Sequence, residues 1–190
     1  MKNFLTLIIF SFSILILTSC GKDEVPKPEY YYKFKVNGVQ KEFKASDDAS
    51  IFFTQDQGST NRRTLFTMVS GTDPLKNTIV MSYRSPTSIV VGNTYQMQAP
   101  IIIGGVENPS ILFFYFDENG KEYGASLLKS SNPGANDNVF FSFTEFSNEN
   151  SKGNFEAVIF DLSATGDLNR REVVEITEGE FFLPNFISIL

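Results

Sequence analysis

From Tyr30 to the end of this chain, short aromatic or β-branched runs alternate with clusters of Gly, Pro, Asn and Asp, and no 11-residue window carries a 3.6-residue apolar period. That pattern predicts an all-β fold. Its first run is the clearest: in Tyr30 to Val36, Tyr32, Phe34 and Val36 share one face and Lys33 and Lys35 the other, and Asn37-Gly38 then reads as a type I′ hairpin turn into a return strand over Val39 to Ala45. Further strands are predicted at Ser50 to Gln55, Thr64 to Ser70, Asn77 to Tyr83, Thr94 to Met97, Ile111 to Phe116, Glu122 to Leu128, Asn138 to Phe146, Asn154 to Phe160 and Glu172 to Phe182. Within Asn138 to Phe146, Phe141 and Phe143 face away from Phe140, Ser142 and Thr144. The expectation is a single antiparallel β-sandwich domain of about ten strands over residues 30–190, with no internal repeat and no second domain.

The N-terminal residues have a different character. Lys2 supplies a positive start, and Phe4 to Leu17 is apolar apart from Thr6, Ser11 and Ser13, as in a secretory leader. The run is shorter than the roughly 20 residues of a spanning helix, so residues 1–19 are set aside as a signal peptide. Leu17-Thr18-Ser19-Cys20 resembles the lipobox of bacterial lipoproteins. That resemblance implies that Cys20, the only cysteine, receives a diacylglyceryl group and becomes the new N-terminus. One acyl chain holds a protein marginally and two or more hold it stably, so the implied partner is a membrane, through the lipid on Cys20. Cleavage removes only Lys2 among the charges and leaves 15 cations against 22 carboxylates, a net of −7. Gly21 stands where an aspartate would resemble an inner-membrane retention signal, and Lys22-Asp23-Glu24 resembles the acidic stretch of Bacteroidota lipoproteins exported to the outer face of the outer membrane. Residues 20–29 are then a lipidated, proline-stiffened tether, and the nine residues from Gly21 to Glu29 reach at most about 30 Å.

Composition narrows the chemistry. Without His there is no Ser-His-Asp or Cys-His catalysis and no His-bound zinc, and one cysteine makes no intrachain disulfide. A net charge of −6 argues against a nucleic-acid partner. Three of the 20 Phe lie in the leader, and the other 17 suffice to fill a core between two sheets. A domain of this size buries roughly 70% of its unfolded surface and folds without covalent staples.

Several segments could carry function, each with a plainer reading. Ser126-Leu127-Leu128-Lys129 matches S-x-x-K, which requires a helix that this strand-like context does not predict. Asp117 to Glu122 offers oxygen ligands for calcium, yet Asn119-Gly120 between two strands reads first as a hairpin turn. Asp47-Asp48, Asp161 with Asp167, and Glu172, Glu175, Glu178 and Glu180 could supply the two acids of a glycosidase, or be solvated surface charge. Tyr30, Tyr31, Tyr32, Tyr83, Tyr95 and Tyr123 are candidate platforms for a sugar, although the absence of Trp counts against it. Pro100 to Gly105 and Phe186 to Leu190 are apolar, and are expected as short buried strands rather than exposed interface patches.

Phe34-Lys35-Val36-Asn37-Gly38, Val91-Gly92-Asn93-Thr94-Tyr95, Lys152-Gly153-Asn154-Phe155-Glu156-Ala157 and Ile176-Thr177-Glu178-Gly179-Glu180-Phe181 occur in the order in which similar segments occur in small Bacteroidota lipoproteins of unknown function. The resemblance implies a β-sandwich and brings no catalytic residues. The combined expectation is a lipid-anchored outer-membrane protein, reaching the cell surface, that binds a glycan or an envelope protein without catalysis, cofactor or metal. The alternative is a structural or adhesive part of an envelope assembly.

Overall fold

A computed structural model describes residues 28–55, 60–163 and 171–188. The expected signal peptide and the Cys20 lipidation site lie outside the described residues, as does Asp167. The described residues are all-β, with thirteen strands among them: β1 (Tyr31–Val36), β2 (Val39–Lys44), β3 (Ser50–Gln55), β4 (Arg62–Met68), β5 (Thr78–Ser85), β6 (Thr94–Gln96), β7 (Ile101–Ile103), β8 (Val106–Asn108), β9 (Ile111–Phe116), β10 (Glu122–Ala125), β11 (Asn138–Phe146), β12 (Asn150–Asp161) and β13 (Val173–Ile187). At the first turn Asn37 and Gly38 have φ of 49° and 81°, the pair of positive values a type I′ turn demands.

Eleven strands form one hydrogen-bonded network that doubles back into two layers. One layer runs β2-β1-β13-β12-β11-β6 and the other β3-β4-β5-β9-β10. They are joined at two corners. β13 pairs β1 up to Phe182, and over Asn185 to Ile187 it pairs β3 instead. β12 pairs β11 up to Val158, and at Phe160 and Asp161 it pairs β10. Aromatic side chains fill the space between. Phe66 of β4 meets Phe141, Phe143 and Phe181 of the facing layer at ring-centroid distances of 5.4, 5.7 and 5.5 Å, mostly edge to face. Phe34 meets Tyr115 at 5.6 Å and Phe113 meets Phe155 at 6.1 Å.

The central β12–β13 pair explains the glycine-punctuated motifs at the end of the sequence. Gly153 lies opposite Phe181 and Phe155 opposite Gly179, so each strand offers a bare backbone on which the other's ring lies. A Cβ on Gly153 would stand 2.1 Å from the Ser142 carbonyl oxygen, and one on Gly179 would stand 2.4 Å from that of Phe155. Gly-x-Phe on both strands is thus a reciprocal packing device.

The expected fold class holds, with corrections in detail. The β13–β3 pairing is parallel, because β13 crosses from one layer to the other; all other strand pairings are antiparallel. The strand count exceeds about ten because the Pro100 to Gly105 segment folds on itself: Gly104 and Gly105, with φ of 59° and 80°, turn β7 into β8 as a separate two-stranded sheet. Ile102 is therefore 60% exposed and not in a core strand. Phe186 is likewise 55% exposed, since it alternates with the buried Asn185 and points outward from β13.

Candidate functional site

Five segments converge at the β13–β3 corner and leave a cleft of about 400 Å³ open at the end of the sandwich. Phe53 of β3, Phe146 at the end of β11, Ile187 at the end of β13 and Ile89 of the β5–β6 loop supply its apolar walls. Phe53 and Phe146 meet edge to face at 5.3 Å, and Phe146 remains 43% exposed. Phe53 lies on the same face of β3 as the buried Ile51, and the register shift between Phe143 and Glu145 in β11 puts Phe146 on the side that strict alternation from Phe143 would deny it.

The rim is polar. Arg62 is exposed at the start of β4 and donates from Nη1 to the Ser88 hydroxyl, which leaves other donors of its five-donor fork for a ligand. Ser85 Oγ and Thr87 Oγ1 lie 3.0 Å apart, and the Thr87 backbone N–H donates to Ser85 Oγ at 3.1 Å. Tyr83 is 6% exposed, and burial raises its phenol above the ordinary value of 10.0, so it stands in the cleft as a neutral hydroxyl. The cleft thus combines flat apolar surface, hydroxyls and two arginines, Arg62 and Arg63, a combination suited to holding a compact anionic ligand by one face and one edge.

A second, shallow depression of about 650 Å³ lies on the other layer, lined by residues of β1, β2, β12 and β13. Two of its four carboxylates are engaged by lysines, Glu180 by Lys33 at 3.0 Å and Glu178 by Lys35 at 2.5 Å. Glu180 also accepts the Tyr31 hydroxyl, which holds its carboxyl below the usual value.

The other sequence candidates are scattered. Asp47 and Asp48 are exposed in a turn, and Glu172 and Asp161 both hold Lys121, at 2.6 and 2.8 Å. Asp117 Oδ1 accepts the backbone N–H groups of Asn119 and Lys121 at 2.8 and 2.9 Å, so this carboxylate caps the β9–β10 turn, where Gly120 has φ of 83°. Glu118 reaches Lys41 at 2.7 Å, and Glu122 is exposed. Among the described residues no three His, Cys, Asp or Glu side chains gather in a group that could hold a metal ion. The Ser126 to Lys129 run follows β10 without forming a helix. The Ser126 and Leu127 N–H groups donate to Asp137 Oδ2 instead. Of the tyrosines, Tyr32, Tyr83 and Tyr123 are buried, while Tyr30 and Tyr31 pack against Phe182 beside the tether. Tyr95 is half-buried and donates to or accepts from Val90.

Sequence reasoning passed over Arg62, Ser88 and Phe146. Phe146 was the final residue of a correctly bounded strand, and its position one step past the buried Phe143 cluster was the available signal. No protein-family profile, curated protein or solved structure matches this chain. Among the described residues no helix is long and apolar enough to cross a membrane.

Proposed function

We propose that this chain is a lipid-anchored binding module of the outer membrane, held by Cys20, whose end cleft takes an acidic glycan without chemically altering it. The observation that carries the reading is the cleft itself, in which the exposed ring of Phe146 stands across from the Arg62–Ser88 rim. A sugar ring stacks on the aromatic wall, its carboxylate meets the guanidinium, and Ser85, Thr87 and Tyr83 offer hydroxyl partners. A non-catalytic role is supported by the placement of Asp161, Glu172, Glu178 and Glu180, which are paired with lysines away from the cleft.

Calorimetric titration of the full chain with a panel of uronic-acid and neutral oligosaccharides tests this. Arg62→Ala and Phe146→Ala should each weaken binding of the acidic members by about tenfold or more, the value of a charge-assisted hydrogen bond or a buried ring. Binding that is unchanged in both variants, or no binding by any member, would refute it. Location is tested by protease shaving of intact cells with Cys20→Ala as the anchorage control. Digestion with membranes intact supports the cell surface, protection supports the periplasmic side, and unchanged membrane retention of Cys20→Ala refutes the anchor.

A second reading, a structural or adhesive component of an envelope assembly, is favoured by the β7–β8 hairpin. It pairs with no third strand and exposes Ile102 and Val106 at 60% and 64%. Cross-linking from position 102 in cells that captures one defined envelope protein would decide for it.

A further inference from the structure

Around the point where the tether enters the domain the outward side chains are mostly aromatic, with the Lys152 ammonium 5.2 Å from the Phe182 ring centroid. The rings of Tyr30 and Tyr31 lie 5.0 and 6.2 Å from that of Phe182, on the outer side of β13. Residues two apart share a strand face, so Phe182, Pro184 and Phe186 continue along that side, and the intervening Phe181, Leu183 and Asn185 are buried. Phe186 is in register with Phe52 of β3, and Phe52 with Leu65 of β4. The apolar strip therefore bends around the corner from one layer to the other. Phe186 and Phe52 are 55% and 39% exposed, although alternation could have placed polar residues there. Beyond Leu65, Arg63 and Arg84 are in register across β4 and β5, and Arg63 also borders the end cleft.

The position of the tether selects what covers this strip. Tyr30 is the last residue before β1, and its carbonyl accepts the Ala45 N–H, which fixes the tether's exit beside Phe182. Tyr30 lies ten positions after Cys20, a reach of at most about 35 Å. Phe186 lies four residues along β13 from Phe182, about 13 Å away. A lipid on Cys20 therefore brings this face, before any other, within range of the bilayer. Aromatic side chains with an arginine rim are the composition that the headgroup layer accommodates.

We infer that the Tyr30–Phe182–Phe186–Phe52 surface is a second membrane contact, which seats the domain on a phospholipid surface and fixes the direction in which the cleft opens. This rests on the anchored reading above. Because the chain has no Trp, one introduced indole is a unique reporter. Phe186→Trp and, at the far end of β1 beside the Asn37-Gly38 turn, Val39→Trp both alter exposed positions, and circular dichroism confirms that each is folded. The full mature chains are reconstituted in phosphatidylethanolamine–phosphatidylglycerol vesicles containing brominated acyl chains.

Emission from Phe186→Trp should be quenched about threefold more strongly than that from Val39→Trp, since an interfacial side chain lies within about 10 Å of the acyl region. The difference should vanish in Phe52→Asp/Phe186→Trp. Equal quenching at positions 186 and 39 in a chain whose intact mass includes the lipid overturns the contact while leaving the anchor standing. If the mass lacks the lipid, the anchored reading fails on its own. The same reporters, in chain added to preformed vesicles, then decide the contact: equal quenching overturns it and a preference for position 186 supports it.

Discussion

The two corners that close this sandwich do the same topological work with opposite materials. At the β12–β10 corner, Tyr123 pairs with Asp161 and Gly124 with Phe160, and charged side chains surround the junction. Arg171 donates to Asp137 at 2.7 Å with their side chains 6% and 0% exposed, and its guanidinium lies 4.1 Å from the Phe160 ring centroid. Lys121 bridges Asp161 and Glu172 over the ring of Tyr123. At the β13–β3 corner the junction is a short parallel pairing, the side chains are mostly apolar, and Phe52, Phe146, Phe186 and Ile187 are left partly in water. The closed corner spends its polar groups on one another. The open corner keeps its surface available, and that is where the cleft and the exposed side chains of Phe52 and Phe186 lie.

The sharpest test of this contrast is Arg171→Ala. Asp137 also accepts the Ser126 and Leu127 N–H groups, and its backbone carbonyl accepts Gln98 Nε2 at 2.7 Å, so this pair ties the β10–β11 loop to the corner. Removing the guanidinium leaves a buried carboxylate without its cation, and the expected loss is about 3–5 kcal/mol in urea unfolding. A double variant, Arg171→Met with Asp137→Leu, should recover part of that loss. A loss below about 1 kcal/mol would mean that the closed corner is not held by its charges.

A smaller effect is expected from Gly124→Ala at the same corner. The new methyl would stand 2.8 Å from Leu162 Cδ1 and 3.2 Å from the Phe113 carbonyl oxygen. The leucine tip can move but the carbonyl must shift slightly, for a cost of about 1 kcal/mol, read as a lowered unfolding midpoint. At the open corner, by contrast, Arg62→Ala and Phe186→Ser should change stability by no more than about 0.5 kcal/mol in the same assay, because both side chains are exposed. A loss as large as that of Arg171→Ala would make the open corner a structural element and undercut both the cleft and the membrane contact.

The sequence was readable wherever structure is local. Ser50 to Gln55, Ile111 to Phe116 and Asn138 to Phe146 end where alternation and turn residues end them, and the Asn37-Gly38 turn has the dihedral angles its residue types demand. What escaped was what depends on distant pairing. β13 runs to Ile187 and not to Phe182 because β3, more than 130 residues earlier, supplies a new partner at Asn185. The apolar end of β13 looked like core because its outward residues are as apolar as its inward ones. β10 stops at Ala125 because Asp137 captures the next two N–H groups, and Asn136-Asp137-Asn138 by itself reads only as a turn. The cleft is built from five separate segments, none with a motif of its own.

The mildest prediction separates the corners by acidity. Lys121, and then the hydroxyl and backbone N–H of Ser163, hold the Asp161 carboxyl down from its ordinary 3.8 to about 2. Because the folded-state value is the lower one, the unfolded chain binds more protons between those limits. The stabilisation is therefore complete above about pH 4 and is lost as pH falls toward 2. The same contacts raise Lys121 above its usual range, so at the alkaline end the pair persists until that amine finally deprotonates. Across the acidic window Arg62, at the open corner, rests on a serine hydroxyl, which does not titrate there. Hydrogen exchange, corrected for its intrinsic pH dependence, should thus show protection falling at Tyr123 to Ala125 and Val158 to Asp161 between pH 4 and 2.5, while Ile51 to Phe53 and Asn185 to Ile187 hold theirs. Asp161→Asn should abolish the difference. Equal loss at both corners in the unaltered chain would show that the Lys121 pairing is surface decoration and that the closed corner rests on Arg171 and Asp137 alone.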